Sequence, residues 1–419
     1  MRKEYILKNN LTVIYERLSH LSSVALGVWI GVGSRNEKLE NNGISHFIEH
    51  MVFKGTNKRT AKDIAYEFDS IGGEINAFTG KDCTCVYTKT LDSDLESAID
   101  VLSDMILNPK FEESDMTIEK NVVKEEISMY EDDPEERVHD LLAEEMLSEG
   151  PLGYPILGTY KSLESLTRDD LVKHLKYYYI PDNCVISVVG NFEEENLFNL
   201  IDKYFSSWKS LGYCRLSEEQ PSFKPHYLYK SKDIEQTHIC IGYRGLPQGD
   251  ARMYDLMVLN NILGDGFSSR LFQSVREDKG LAYSIYSSPA AFRDCGMFTI
   301  SAATNPDKAD EAIECISQVI QLLLDNDITE KELLRCKNQL KGNYILGLDS
   351  SSGRMLSNGK SKIITGDIKS SEEIIKCIED IKIEDVNFLL EWIFRGSRPG
   401  IVVLGNKSIS PQSIEMLSF

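Results

Sequence analysis

The sequence predicts an α+β fold made of two homologous domains, duplicated along the chain. In both halves of the 419 residues, short alternating apolar runs typical of β-strands are mixed with long helical patterns. The halves match at a constant offset, because Val24–Gly27 corresponds to Ile239–Gly242 and Gly190-Asn191 corresponds to Gly405-Asn406. Both matches are 215 positions apart, from 239 − 24 and 405 − 190. A chain of this length is also expected to form more than one domain.

The predicted domain boundaries follow from this repeat. They place the first domain at 1–212, a linker at 213–230 and the second domain at 231–419. The linker region is polar and contains Pro221 and Pro225, which interrupt regular structure.

Periodicity and turn residues predict the elements of the first domain. Strands are expected at Leu11–Tyr15, Ser22–Val32, Cys83–Leu91 and Val185–Val189. Helices are expected at Thr60–Phe68, Asp94–Leu107, Ser114–Ser148 and Asp169–Tyr179.

The stretch Gly43–Gly55 contains the residues best suited to chemistry. Ser45 is predicted to cap the start of a helix, and the closing glycine lies where that helix would end. His46 and His50 are four residues apart, so both imidazoles project from one helix face, and Glu49 shares that face. This H-x-x-E-H order occurs in zinc proteases, where two imidazoles bind the metal and a carboxylate takes a proton from bound water. Alternatively, these are ordinary surface or core histidines, because so short a pattern also arises by chance.

Catalytic zinc usually takes three protein ligands, and the helical segment Phe111–Tyr130 offers several carboxylates. At this point the sequence resembles the pitrilysin (M16) metallopeptidase family, in the subgroup of the mitochondrial processing peptidase beta subunit and its bacterial relatives. In that family the third ligand is a Glu about 76 residues after the second His, followed by a large apolar residue, as Glu126 and Ile127 are here. The resemblance also implies that Glu119 is an accessory glutamate, whereas Glu125 fits a solvated helix face.

The resemblance implies a fold and an activity for the whole chain. The fold is the pitrilysin/LuxS-like metallohydrolase type, with this chain forming half of a clamshell around an enclosed chamber. The activity is that of an inverzincin-type zinc metalloendopeptidase with one Zn²⁺ per chain. The implied substrates are peptides, unfolded chains or leader segments.

A substrate strand is predicted after the helix that contains Thr60–Phe68. The segment Glu74–Asp82 continues a Gly-Gly-x-x-Asn-Ala-x-Thr pattern that resembles the strand by which family members bind extended peptides. An exposed strand edge can add a peptide as one more strand, so Asn76 and Ala77 are predicted to bind substrate. In the alternative interpretation Asn76 is only a turn residue.

The second domain is predicted to be an inactive copy that contributes to substrate binding. The offset of 215 places Asn261, Gly264 and Asp265 at the motif positions, so no pair of metal ligands is kept. Arg276 and Tyr283 resemble the family's second signature, which implies contacts with substrate carbonyls near the cleaved bond. A Tyr hydroxyl aimed at a developing oxyanion stabilises the transition state.

Composition narrows the partners and the compartment. The formal net charge of −20 argues against binding to nucleic acid, which needs a basic face. No apolar run of about 18 residues is present, so no membrane helix is expected. Nine scattered Cys without a C-x-x-C pair, and a start without a signal or transit pattern, predict a cytoplasmic location.

The sequence therefore predicts a zinc-dependent endopeptidase. His46, His50 and Glu126 would bind the metal. Glu49 would take a proton from the metal-bound water, and Arg276 and Tyr283 would contact the substrate carbonyls. Two alternatives are a non-catalytic or scaffold subunit of the same fold and a peptide-binding protein whose zinc is structural. Because the family's chamber needs four related domains, the resemblance implies a second chain. A homodimer is the simplest form, and a heterodimer is the competing one.

Overall fold

The computed structural model describes residues 2–209, 221–326 and 328–419. The chain forms two compact units, each combining a β-sheet with helices, so the predicted α+β class is confirmed. The first unit comprises Met1–Ser128, Tyr154–Glu218 and Leu346–Ile368. The second comprises Met129–Gly153, Glu219–Ile345 and Lys369–Phe419.

The strands are named in chain order. They are β1 (Arg2–Ile6), β2 (Thr12–Arg17), β3 (Ser23–Ile30), β4 (Glu74–Thr79), β5 (Thr84–Leu91), β6 (Cys184–Gly190), β7 (Tyr227–Ser231), β8 (Thr237–Gly245), β9 (Ala282–Ala291), β10 (Gly296–Thr304) and β11 (Gly400–Gly405).

The α-helices are named in the same way. They are α1 (Ile44–Val52), α2 (Ala61–Ser70), α3 (Leu95–Leu107), α4 (Glu113–Asp132), α5 (Pro134–Met146), α6 (Tyr160–Ser165), α7 (Arg168–Tyr178), α8 (Glu194–Phe205), α9 (Met253–Leu263), α10 (Ala309–Asn326), α11 (Glu330–Gly347), α12 (Ser351–Thr365), α13 (Ser371–Glu379), α14 (Ile383–Phe394) and α15 (Pro411–Glu415). A π-helix covers Phe272–Asp278. Among the described residues, no helix is both long and apolar enough to cross a bilayer.

The two sheets share one topology. The sheet of the first unit has the order β1-β2-β6-β3-β5-β4, and that of the second has the order β7-β11-β8-β10-β9. The second order repeats the first without β1. Each sheet contains one parallel pair, β2 with β6 and β7 with β11, and the neighbouring pairs β3 with β6 and β8 with β11 are antiparallel. The order makes β4 and β9 equivalent edge strands.

The strand register differs between the two copies by two residues. Val24 pairs with Gly190 in the first sheet, so an offset of 215 would pair Ile239 with Gly405. Ile239 instead pairs with Val403. A shift of two residues keeps every side chain on its original face, which explains why the apolar pattern survives in both copies.

The central strands of the first sheet are covered on both faces. β3 and β6 are almost wholly buried, which accounts for their nearly continuous apolar sequences. Phe47 of α1 and Leu102 of α3 belong to the main core of this unit, while Met355 of α12 packs with residues of the other face. A Cβ added to Gly359 would lie 1.9 Å from Nε1 of Trp29, so only glycine lets α12 approach this closely.

Two helices depart from the predicted contiguous domains. α5 lies in the second unit, where Leu142 and Met146 pack with Cys240 of β8 and Val402 of β11. α12 lies in the first unit, although its sequence falls within the predicted second domain of 231–419. Part of the predicted linker, 213–220, lies outside the described residues, and its end overlaps β7. The predicted boundaries assumed uninterrupted domains, and the packing of these helices does not follow chain order.

Two local predictions on helices are wrong. The pattern Ser114–Ser148 is not one helix, because α4 ends at Asp132 and α5 begins at Pro134. Proline lacks an amide hydrogen and suits a first helical position, while Asp133 caps the new helix by accepting from the amides of the next turn. Ser45 is not a helix cap either, since α1 begins at Ile44 after Gly43.

Candidate metal centre and substrate strand

The start of α1 is held by an acidic side chain from outside the motif. Gly43 has φ of 91° and offers no side-chain cap. The buried carboxylate of Glu37 instead accepts from the amides of Gly43 at 2.7 Å and of Ser45 at 2.8 Å. Burial raises the pKa of Glu37 to about 7, although these hydrogen bonds act in the opposite direction. Sequence analysis missed Glu37, because it lies outside the spacing of any common capping motif.

Three predicted metal ligands converge in the first unit. One ligand atom from each of His46, His50 and Glu126 lies within 4.8 Å of the other two. Glu126 Oε2 is 3.3 Å from Nε2 of His50 and 3.7 Å from Nε2 of His46. Among the described residues, no other group of three or more His, Cys, Asp and Glu side chains lies close enough together to hold a metal. Glu125, the neighbouring carboxylate, is exposed on α4.

Glu119 orients one of the imidazoles. Nδ1 of His50 donates to Glu119 Oε1 at 2.8 Å, and Lys54 Nζ lies 2.6 Å from Glu119 Oε2. Burial lowers the pKa of His50, but hydrogen bonds to Glu119 and Glu126 outweigh it and raise that pKa to about 9. A carboxylate bonded to the far nitrogen of a histidine is the usual support of a metal-bound imidazole.

The donor set fits a divalent metal. Two imidazole nitrogens and one carboxylate oxygen form a three-ligand zinc site that keeps a position open. Burial and the nearby His50 lower the pKa of His46 to about 4, so its imidazole is neutral, as a ligand must be. Its Nδ1 is buried and has no hydrogen-bond partner among the described residues. A metal would also have to displace the proton from Nε2 of His50.

Glu49 lies beside these ligands on α1 and contacts the edge strand. Thr79, the last residue of β4, donates from Oγ1 to Glu49 Oε2 at 2.5 Å. Burial raises the pKa of Glu49, against the effect of the Thr79 hydroxyl. The predicted site residues Glu49, Glu119 and Glu126 therefore occupy one region of the first unit with the two histidines.

The predicted substrate strand is the edge strand β4. Asn76 lies within β4 opposite Tyr87 of β5, so it is not a turn residue. Among the described strands, β4 pairs with β5 and leaves its other edge free. Asn76 Oδ1 accepts from the amide of Ala77 at 2.8 Å, which places that amide on the side away from β5. An extended peptide could pair with this edge.

Arg276 and Tyr283 lie close to each other in the second unit. The Arg276 guanidinium stands over the ring of Phe272 at 4.8 Å and over that of Tyr283 at 5.5 Å. Tyr283 is 73% exposed at the start of β9. Of the offset positions of the metal motif, Asn261 lies in the last turn of α9, and Gly264 and Asp265 follow the helix. This arrangement holds no histidine.

Two peptidase family models and several bacterial proteins match most of this chain. The family model described as "Insulinase (Peptidase family M16)" matches residues 12–160, and that described as "Peptidase M16 inactive domain" matches residues 165–340. The "Uncharacterized zinc protease YmxG" of Bacillus subtilis (strain 168) is 45% identical and covers 94% of this chain and 96% of its own length. An "Uncharacterized zinc protease" of Mycobacterium leprae (strain TN) is 37% identical over 98% of this chain and 94% of its own.

Solved structures share the fold at lower sequence identity. A protease from Helicobacter pylori has a TM-score of 0.91 at 24% identity and covers 97% of this chain and 99% of its own. A Pseudomonas fluorescens protein described as a peptidase M16 inactive domain also has a TM-score of 0.91, at 20% identity, with 98% and 99% coverage. These structures share the fold, whereas the two family models and the relatives show the family. This chain belongs to the M16 peptidase family.

Proposed function

We propose that this chain is a zinc-dependent endopeptidase whose metal is held by His46, His50 and Glu126. The observation that carries the proposal is the convergence of their ligand atoms to within 4.8 Å of one another. Catalytic zinc takes such a set of three ligands and keeps one position for water. Relatives named zinc proteases support the same metal and the same class of reaction.

The neighbouring carboxylates would divide the chemistry between them. Glu119 holds Nδ1 of His50, which would leave Nε2 of that imidazole to bind the metal. Bound zinc would supply a polarised water for attack on a peptide carbonyl. Glu49 would accept the proton of that water as a general base, and burial raises the pKa of its carboxyl.

Substrate would lie along β4 in an extended conformation. The free edge of β4 supports this proposal, with Asn76 and Ala77 in contact with the peptide backbone. Arg276 and Tyr283 would bind substrate carbonyls, and the exposure of the Tyr283 ring supports that role. Backbone recognition predicts broad sequence tolerance and little cleavage of stably folded domains.

The alternative of a structural zinc is less well supported. A structural site normally closes with a fourth protein ligand, often Cys. The ligand group found within the described residues has three members and no Cys. The presence of Glu49 beside three potential ligands argues against a non-catalytic role as a subunit.

The subgroup resemblance to the processing peptidase beta subunit stays a prediction.

The test uses Glu49→Gln, with Glu125→Gln as the matched control on an exposed carboxylate. Each protein is incubated with a random peptide mixture, with and without a chelator, and the cleaved sites are mapped. Glu49→Gln should retain zinc but lose about 100-fold or more of turnover, the usual range for loss of a general base. Glu125→Gln should match the wild type. Equal turnover in Glu49→Gln and the wild type would contradict the proposal.

We also infer that the working unit is a homodimer, since the resembling family needs four related domains and one chain supplies two. Subunits of Glu49→Gln and Tyr283→Phe, each nearly inactive alone, would be mixed under conditions that allow exchange. If a partner chain supplies Tyr283, roughly half of the dimers would be mixed and each would hold one intact site. Turnover should then recover to about a quarter of the wild-type value. Demonstrated exchange without recovery would contradict the inference.

A further inference from the structure

Glu49 has a hydrogen-bond partner that neither the motif nor the family comparison assigns. The bond comes from the Thr79 hydroxyl to Glu49 Oε2 and measures 2.5 Å. Thr79 is half-buried at the end of β4, 30 residues after Glu49. The bond therefore joins the helix of the metal ligands to the edge strand.

The direction of this hydrogen bond follows from its surroundings. Thr79 pairs with Thr84 across β4 and β5, and their Oγ1 atoms are 3.5 Å apart. The single hydroxyl proton of Thr84 goes to the carbonyl of Val32 at the shorter distance of 2.9 Å. Because an ionised carboxylate only accepts, the proton in the Thr79–Glu49 bond comes from Thr79. The β-branched side chain of Thr79 also restricts its χ1 rotation.

We propose that Thr79 is a positioning residue for the general base Glu49, an inference that rests on the proposed function. Its hydroxyl occupies Oε2, fixes the plane of the carboxylate and leaves Oε1 to accept a proton. The same strand would hold the substrate backbone. β4 would thus fix the position of the general base relative to the peptide. A reacting group that is out of position can lower the rate by about 100-fold.

The experiment compares three variants at position 79. Thr79→Val removes the hydroxyl but keeps the branched shape of the side chain. Thr79→Ala removes both, and Thr79→Ser keeps the hydroxyl without the branch. Valine and alanine should each lower kcat by about 10- to 100-fold, up to the cost of a misplaced reacting group, with KM and zinc content changed less than about twofold. Serine should recover kcat to within about threefold of the wild type.

Thr88→Val is the matched control in the same sheet. Thr88 is 1% exposed on β5, and its hydroxyl has no hydrogen-bond partner within the described residues. Its kcat should stay within about twofold of the wild type, since no hydrogen bond is lost.

The outcomes separate this inference from the proposed function. If the wild type cleaves peptides and Thr79→Val and Thr79→Ala keep its kcat, the inference is overturned while the proposed function stands. Loss of zinc, or a raised KM with unchanged kcat, overturns it as well, because Thr79 would then act on the metal or on substrate binding. If the wild type and Glu49→Gln are equally inactive with zinc bound, the proposed function fails and the inference falls with it.

Discussion

The helix beside the edge strand differs sharply between the two units, although both occupy the same place in one topology. In the first unit, Glu49 projects from α1 and its carboxylate meets Thr79 of β4. In the second, Gly264 follows α9, and its carbonyl accepts directly from the amide of Ser287 on β9. A Cβ at Gly264 would lie 2.4 Å from that amide nitrogen. In the second unit a backbone hydrogen bond therefore joins the end of the helix to the edge strand, whereas in the first unit the Glu49 carboxylate makes that connection.

The comparison also shows why simple substitution would not restore a site in the second unit. α1 continues to Val52, so His50 lies on the helix with His46. α9 ends at Leu263, so the offset position of His50, Asp265, lies beyond the helix. An i, i+4 pair needs one continuous helix. The units thus differ in where the helix ends relative to the motif positions as well as in residue type.

The largest expected effect concerns the metal. His50→Ala removes one of the three converging ligands, so purified protein should lose its zinc and its peptidase activity. Asp265→Ala is the matched change at the offset position of the second unit and should leave both unchanged. Metal analysis of the two proteins provides the measurement. Equal zinc in His50→Ala and the wild type would break the assignment of the metal to the first unit.

Sequence reasoning reached the parts of the site that depend on local spacing. His46, Glu49 and His50 share a helix face because of the helical repeat alone. Glu126 was identified only through the resemblance, because helical periodicity cannot say which of two adjacent carboxylates will face a distant helix. Glu37 and Thr79 reach α1 through tertiary folding, and no sequence pattern indicated either contact.

The fold shows the same limit. The strand repeat predicted the duplicated topology, which follows from burial patterns along each strand. The packing of α5 and α12 depends on close approach at glycines such as Gly359 and could not be read from periodicity. The helix break at Pro134 follows from local rules, because proline favours a first helical position, but the predicted helical pattern of Ser114–Ser148 does not include this break.

An intermediate effect is expected at Glu119. In the wild type, Nδ1 of His50 lies 2.8 Å from the Glu119 carboxylate. Glu119→Gln keeps the shape of the side chain but weakens this hydrogen bond. Changes in such supporting carboxylates typically cost about 10- to 100-fold in metal affinity or activity. Zinc affinity should fall by that factor, measured by competition with a chelator of known affinity. Glu125→Gln, at the exposed neighbour on α4, should bind zinc like the wild type. An unchanged affinity in Glu119→Gln would mean that the His50 contact does not support the metal.

The smallest effect concerns the acid stability of the first unit, through His174 of α7. This imidazole is buried, its Nε2 lies 3.4 Å from Ser45 Oγ of α1, and burial lowers its pKa to about 3. The unfolded chain binds a proton there near its ordinary pKa of about 6.5, whereas the folded chain does not, so stability is lost as the pH falls from about 6.5 towards 3. The slope from this group is about 1.4 kcal/mol per pH unit.

His174→Gln removes the titrating group while keeping a polar side chain near Ser45, and it should flatten this part of the profile. Urea unfolding of chelator-treated protein at pH 7.5, 6.0 and 5.0 gives the measurement. Between pH 6.0 and 5.0 the wild type should lose about 1 kcal/mol more than His174→Gln does, because carboxylate titration is common to both proteins. His20→Gln, which removes an exposed histidine, should follow the wild type. Parallel profiles for His174→Gln and the wild type would mean that the His174 imidazole takes up its proton within the folded first unit.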